Sequence, residues 1–454
     1  MLNFQIRKTG PGFSYFVILT SYLLFASCSV QKKIAKSADI DVLDVPALQT
    51  AHVGISIYEP ASGKHWYDYN GEKYFVPASN VKIPTCYAAM KYLGDSLTGL
   101  RYVGFQNNKG EKSFWLQPTG DPTLLHPDFT TQPVIDFFKK DTTAEYLLTT
   151  AHQWEDTPWG AGWSWGDYAV YYMAERSQFP IYGNVVHIQG SEKGITIFPG
   201  QFEFAYEGKE STPFFDRSSN KYSFNRVMSE NKFLWRPDSS AIENEEIPFI
   251  TSTALAISLL KDTVRGLKLA MSENTSLKNA KKIFSQRTDA MLSLMMHRSD
   301  NFFAEQALQM VSNERLGVMN DAKIIDTILK TDFKDLPQKP KWADGSGLSR
   351  YNLFTPQNFV AILNKMRQEF GVERIKIIFP TGGRGTLENY YVADSNSIYA
   401  KTGTLSGVVA ISGFLQTKKN RQLIFSVLVN NHQASPTDIR RAVEKFLQTI
   451  RNKF

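Results

Sequence analysis

The last third of the chain leaves little freedom for the fold. IYAKTGTLSGVVAISGFLQ (398–416) alternates apolar and polar residues, KKNRQ makes a turn, and LIFSVLVNN follows as a largely apolar run. That succession describes adjacent strands. PTDIRRAVEKFLQTIRNKF then closes the chain as an amphipathic helix, with its cap expected near Thr437. A matching pattern stands near the other end: HVGISIYEPASGKHWYDYN (52–70) reads as strand, turn and strand, with Pro60 to Gly63 turning. Strands at both ends with helical patterns between them call for one sheet assembled from distant segments.

The segments between are of two kinds. PASNVKIPTCYAAMKYLG (77–94) reads as a helix closed by Gly94, and helical periodicity returns from 251 in TSTALAISLLKDTVRGLK and AMLSLMMHRSDNFFAEQALQMV. From 101 to 250 short strand-like runs, frequent Gly and Pro, and WEDTPWGAGWSWGDY (154–168) indicate an inserted β-rich domain. Trp163 and Trp165 are read there as packing residues. The expected division is therefore 46–100 plus 251–454 for one domain and 101–250 for the insertion, with 29–45 as a polar tether leading into a helix. The chain holds no internal repeat and no low-complexity tract.

Ahead of this lies FSYFVILTSYLLFASC (13–28), preceded by Arg7 and Lys8. A positive start, a short apolar stretch and small residues at its end read as a signal peptide, 1–28, too short for a comfortable membrane span. Because the stretch ends on Cys28, a loose lipobox is expected, with Cys28 acylated; an ordinary signal peptide or an uncleaved anchor are the alternatives. The second cysteine, Cys86, then has no partner for a disulfide and is expected as a buried thiol. Seven histidines are scattered without metal-ligand spacing, so no metal or organic cofactor is expected. The net charge of +7 suits an acidic partner, yet no basic block or aromatic–basic module points to nucleic acid. An anionic wall polymer or a membrane surface fits as well, and a merely solvated surface fits best of all.

Three short motifs carry the chemistry. Ser79-x-x-Lys82 opens the 77–94 helix, where positions i and i+3 share a face, so the amine reaches the hydroxyl. Serine needs a base to become a nucleophile, and a lysine serves when burial and nearby positive charge depress its pKa. Ser299-Asp300-Asn301 adds a second hydroxyl to relay protons and a carboxamide to hold a substrate amide. Lys401-Thr402-Gly403 sits on a strand, where lysine and hydroxyl can receive a carboxylate and Gly403 lets a substrate backbone lie against the edge. Each is common alone: S-x-x-K also begins at Ser29, Ser218, Ser229 and Ser258, and K-T-G also at Lys8. Their order and settings distinguish this set. Pro84 is expected to loosen or kink the helix beside Lys82.

S-x-x-K, S-D-N and K-T-G in this order resemble the signature of penicillin-binding proteins and serine β-lactamases. More than two hundred residues separate Ser79 from Ser299, and about a hundred separate Ser299 from Lys401. That spacing resembles the class C low-molecular-mass penicillin-binding proteins, the D-alanyl-D-alanine carboxypeptidase/endopeptidase group typified by penicillin-binding protein 4. In that group extra domains interrupt the catalytic one after the first motif. TGDPTL (119–124), GWSWGDYAVYYMAERSQFPIYGN (162–184), DGSGLSRYNLFTP (344–356), GGRGTL (382–387) and LVNNH (428–432) extend the resemblance over nearly the whole mature chain.

The resemblance implies an α/β multidomain protein: a transpeptidase-like domain of antiparallel sheet flanked by helices, carrying the β-rich insertion. It implies acyl transfer on peptidoglycan stem peptides ending in D-Ala-D-Ala. Ser79 attacks, Lys82 takes its proton, and backbone N–H groups of Ser79 and Thr404 hold the oxyanion. Ser299 passes a proton to the leaving D-alanine, Asn301 holds the substrate backbone, and Lys401 with Thr402 binds the terminal carboxylate. Asp167 is the local carboxylate for reading the third stem residue's amino group, with a surface-turn role left open. β-Lactams are implied as covalent inhibitors, and the bacterial periplasm, with membrane attachment through Cys28, as the location. DD-endopeptidase action on cross-links, and a non-catalytic wall-binding lipoprotein of the same fold, remain the alternatives.

Overall fold

The computed structural model describes residues 30–149, 153–191, 193–207, 222–238, 244–273 and 277–454. The apolar leader and Cys28 lie outside them. Residues 30–38 form helix α1, extended by a π turn, Asp39–Leu43. Strands β1 (His52–Glu59) and β2 (Lys64–Tyr69) follow, then a 3-10 turn, Ala78–Val81, leading into α2 (Lys82–Tyr92). The chain next builds β3 (Ser96–Gln106), β4 (Lys112–Pro118), α3 (Pro133–Lys139), β5 (Glu145–Thr149), β6 (Val185–Ser191), β7 (Gly194–Phe198) and β8 (Glu203–Tyr206). It continues through β9 (Tyr222–Arg226), β10 (Lys232–Pro237), β11 (Asn244–Pro248), α4 (Thr253–Thr263), β12 (Lys268–Ser272) and β13 (Lys281–Arg287). Helices α5 (Thr288–Arg298), α6 (Asn301–Leu316), α7 (Asp321–Lys330), α8 (Pro356–Phe370) and α9 (Val372–Ile378) come next. Strands β14 (Ile398–Leu405), β15 (Val408–Gln416) and β16 (Gln422–Asn430) and helix α10 (Pro436–Lys453) end the chain.

The terminal strands join as the alternation requires, in one antiparallel sheet of order β14-β15-β16-β1-β2. Its two faces are both covered, and they separate with the period of two. Phe425, Val427 and Val429 face α1 and α10, whereas Ile424 and Leu428 face the helical layer of α2, α5, α6 and α8. Lys401, Ser412 and Ser426 stand in one cross-strand row on the side of the helical layer. The α10 cap is Ser435 rather than Thr437, because Pro436 occupies the first helical position and the Ser435 hydroxyl accepts from the Asp438 N–H.

Two expected boundaries move. The insertion extends beyond 101–250: β3 pairs with β13, Ser96 opposite Arg287, so the chain enters and leaves it through neighbouring antiparallel strands. β12 pairs with β5, and α4 packs its Ala256, Leu259 and Leu260 into the insertion's own core. The segment 251–287 therefore belongs with the insertion. The proposed tether also differs. Ile34, Ala38 and Val42, spaced by one helical turn each, are fully buried against the sheet and α10. An amphipathic stripe this short escapes notice between polar residues.

No helix among the described residues is long and apolar enough to cross a membrane. Because α1 is docked, Ile34→Ala is expected to destabilise the protein by about 2–5 kcal/mol, the range for emptying a buried aliphatic site. Urea unfolding checks this; an unchanged midpoint would mean that the segment is a free tether.

Candidate active site

Ser79 sits in the 3-10 turn rather than in α2 itself. Side chains three residues apart eclipse in a 3-10 turn, and Lys82, which follows as the first residue of α2, brings its Nζ to 3.2 Å from Ser79 Oγ. Pro84 is the third residue of α2, within the first turn, where proline is tolerated, and α2 runs on from it to Tyr92. Ala78, just before the nucleophile, has φ 47, a left-handed conformation that costs an alanine ~1–2 kcal/mol. The turn is clamped from two sides. Asn80 donates to Ser412 Oγ at 2.7 Å, and Ser412 in turn to Ser426 Oγ at 2.8 Å.

Glycines admit the two neighbouring segments. A Cβ on Gly403 would stand 2.7 Å from Pro77 O and 3.0 Å from Ser79 N, so β14 lies directly against the nucleophile's amide. One on Gly347, at φ +85, would meet Ala78 O at 1.9 Å. Gly347 belongs to the loop DGSGLS, which Asp344 shapes by accepting from Gly347 N (2.8 Å), Ser349 N (2.7 Å), Asn352 Nδ2 (2.7 Å) and Trp163 Nε1 (2.9 Å).

Lys82 is wholly buried. Besides Ser79 it donates to Asn301 Oδ1 at 2.6 Å and to Ser346 O at 2.8 Å, so its hydrogen-bonding partners are all neutral. Burial outweighs the carboxylates of Asp300, Glu305 and Asp344 and lowers its pKa to about 8. The amine is thus available as a base near neutrality.

The S-D-N motif is the junction of two helices. Ser299 ends α5 in a left-handed conformation, and Asp300 caps α6 by accepting from Phe303 N at 2.8 Å. Ser299 Oγ accepts from Lys401 Nζ at 2.9 Å. Lys401 is also fully buried and donates to Thr402 O at 2.6 Å. Burial, with the charges of Lys82 and Arg440, pushes its pKa well below the ordinary lysine range. Two serine–lysine couples therefore face the same space.

That space is a cleft of about 950 Å³. Ser79, Ser299, Asn301, Thr402, Gly403, Thr404 and Asp167 all line it. Lys82 and Lys401 lie beneath its surface, each hydrogen-bonded to a serine that lines it. β14 is the edge strand of its sheet; Pro380 and Thr381 cover its start, and 402–406 border the cleft.

Three placements differ in detail from expectation. The Asn301 carboxamide is engaged at both ends, accepting from Lys82 and donating to Tyr172 O at 3.0 Å, while the residue also lines the cleft. Lys401 does not reach the cleft surface, which Thr402, Thr404 and Arg440 line instead. Trp163 packs against Arg176, but Trp165 is 72 % exposed beside Asp167 on a 3-10 turn. Asp167 borders the cleft next to Tyr172, whose hydroxyl is pushed up by burial and then by the Asp167 carboxylate.

Sequence reasoning missed the Ser346 carbonyl and Arg440. A backbone carbonyl has no sequence signature, and Arg440, which donates to Thr404 Oγ1, is one of two adjacent arginines on an amphipathic helix. Cys86 is a buried free thiol, as expected, and among the described residues no acidic, histidine or cysteine cluster is arranged for a metal.

Because Gly347 packs on the Ala78 carbonyl, Gly347→Ala is expected to displace the nucleophile turn. It should slow acylation of Ser79 by a fluorescent penicillin by at least about 100-fold, the scale of an ångström's misplacement. Stopped-flow labelling measures it, and wild-type kinetics would show that the contact does not position Ser79.

Known proteins resemble this chain in sequence and in fold. The chain is 25 % identical to the D-alanyl-D-alanine carboxypeptidase of an Actinomadura species, over 89 % of this chain and 83 % of that one. It is 22 % identical to the D-alanyl-D-alanine carboxypeptidase DacB of Haemophilus influenzae, over 96 % and 97 % of the two chains. The crystal structure of penicillin binding protein 4 from Haemophilus influenzae superposes with a TM-score of 0.69 at 19 % identity, covering 92 % of this chain and 98 % of that one. The same protein complexed with a β-lactam gives 0.64 at 18 % identity, with coverage of 92 % and 98 %. The fold is thus that of penicillin binding protein 4. A family-wide sequence match covers residues 34–205 and 256–450, and on that ground the chain belongs to the D-Ala-D-Ala carboxypeptidase 3 (S13) family.

Proposed function

We propose that the chain is a serine D-alanyl-D-alanine carboxypeptidase that trims peptidoglycan stem peptides through an acyl-enzyme. The observation that carries this is the buried Lys82 amine, its pKa lowered to about 8, 3.2 Å from Ser79 Oγ in the cleft that also holds the Lys401–Ser299 couple. Ser79 attacks the carbonyl of the penultimate D-alanine while Lys82 takes the hydroxyl proton. The Ser79 amide and that of Thr404, beside Gly403, receive the oxyanion. Ser299, polarised by Lys401, hands a proton to the departing amine, and water then hydrolyses the ester. Thr402, Thr404 and Arg440 offer donors to the terminal carboxylate. Asp167 supplies a carboxylate for a cationic group on the third stem residue.

A DD-endopeptidase reading uses the same groups with a larger leaving group. It is favoured by the cleft's continuation past Ser299 to Arg298, His126 and Glu246, more room than D-alanine needs. Muropeptide digestion separates the two by product. β-Lactams are proposed as covalent inhibitors of Ser79. We also place the protein in the bacterial periplasm, held to a membrane by a lipid on Cys28. The support is the sequence alone, Arg7 and Lys8 ahead of an apolar stretch ending in cysteine. Palmitate labelling that survives Cys28→Ser would refute the anchor.

Ser79→Ala should abolish penicillin labelling, and either Ser79→Ala or Lys82→Ala should lower kcat/KM by at least ~10³, since nucleophile and base act as a unit. Covalent labelling of the Ser79→Ala protein would overturn the assignment. The working form of Lys82 is the neutral amine, so kcat/KM should rise with pH and level off above about 8, the lowered pKa of that group. Below it the rate should fall roughly tenfold per pH unit. An acid limb near the ordinary lysine pKa would remove Lys82 as the base.

A further inference from the structure

A neutral lysine amine has two hydrogens and one lone pair. Of the three neighbours of Lys82 Nζ, Asn301 Oδ1 and Ser346 O accept only, and they are the nearer ones, at 2.6 and 2.8 Å. Ser79 Oγ, at 3.2 Å, is the neighbour with a proton to give. With both hydrogens directed to the two carbonyl oxygens, the lone pair is left facing Ser79. The direction of the base is therefore set by how those two oxygens are held.

Both are held from the same stretch of the insertion, residues 163–176. Asn301 is fixed by the donation of its Nδ2 to Tyr172 O at 3.0 Å, which turns Oδ1 toward Lys82. The Ser346 loop is fastened through Asp344 to Trp163 Nε1 at 2.9 Å. The Ser346 N–H itself donates to Glu305 Oε1 at 2.7 Å. Glu305 is buried, and its other oxygen makes no hydrogen bond. Facing that oxygen at 3.6 Å is Arg176 Nη1. Arg176 is buried too, paired with Asp321 and, at 3.0 Å, with Asp156. A buried carboxyl with one free oxygen is costly unless a charge compensates it, and Arg176 is the cation placed to do so.

We propose that residues 163–176 of the insertion aim the catalytic base, with Arg176 and Glu305 as positioning residues. Arg176 holds Glu305 in the rotamer that grips the Ser346 N–H, and the Ser346 carbonyl on the same loop orients the Lys82 amine. The inference rests on Lys82 being the base for Ser79, and it gives the insertion a part in the chemistry.

Three variants of the full chain test it: Glu305→Gln, Glu305→Ala and Arg176→Met, each assayed for hydrolysis of an acyl-D-Ala-D-Ala peptide and for acylation by fluorescent penicillin. Glutamine keeps a carbonyl oxygen for Ser346 N–H and should stay within about tenfold of wild type in kcat. Alanine removes it and should fall at least about tenfold further, with KM unchanged because the cleft lining is untouched. Arg176→Met should also lower kcat at constant KM. Wild-type kcat in Glu305→Ala, equal losses in the alanine and glutamine variants, or a loss confined to KM would each overturn the proposal. If circular dichroism shows that Glu305→Ala does not fold, Arg176→Met decides, and wild-type kcat there is the overturning result. Penicillin failing to label even the wild-type chain would instead count against the acyl-enzyme reading itself.

Discussion

An amine is kept dry beside a serine, and much of the molecule follows from that requirement. Lys82 has no exposed surface and only neutral hydrogen-bond partners, so its charge is held down by burial rather than balanced by a contacting carboxylate. Such a site survives only if the surroundings cannot relax to admit water. The core between sheet and helical layer supplies that rigidity: Val81, Ile83 and Cys86 pack around the start of α2 against Phe303 and Ala304 of α6. The same rigidity holds Ala78 in a backbone conformation that alanine seldom adopts, clamped by Asn80 on one side and the Gly347 loop on the other.

The two lysines solve the same problem in different ways. Lys82 lies among carboxylates that act at a distance and partly offset its desolvation, whereas Lys401 feels two further cations, Lys82 and Arg440. Each meets one serine, and the serines rather than the lysines border the cleft. Hydroxyls that can move protons thus face the cleft, while the two amines stay out of solvent. The edge position of β14 completes the site, because only an edge strand can lie open to a bound peptide.

Much of the site could be read from the residue string because its motifs are local. Ser79 and Lys82 are three apart, and any turn of helix puts them together. Ser299 to Asn301 and Lys401 to Gly403 are likewise contiguous, so their chemistry was visible before their meeting was. The sheet was legible for a related reason: short runs rich in apolar residues and bounded by turn residues mark strands, and LIFSVLVNN, covered on both faces, reads as a continuous apolar run. The edges of the insertion were not legible, since β12 and β13 are defined by partners far upstream, β5 and β3. The docking of α1 was hidden for the opposite reason, a stripe of three apolar positions being too short to stand out among polar neighbours.

The sequence by itself offered the candidate reacting groups, the order of the strands along the chain and the class of chemistry, because hydroxyl, amine and strand periodicity are properties of residues and short spacings. Tertiary structure decided which groups surround each lysine. The Ser346 backbone carbonyl accepts from Lys82, Arg176 and Glu305 meet only when the insertion folds back onto α6, and Arg440 arrives from the last helix. Desolvation and hydrogen-bond direction depend on everything that surrounds an atom, and segments far apart along the chain supply those surroundings.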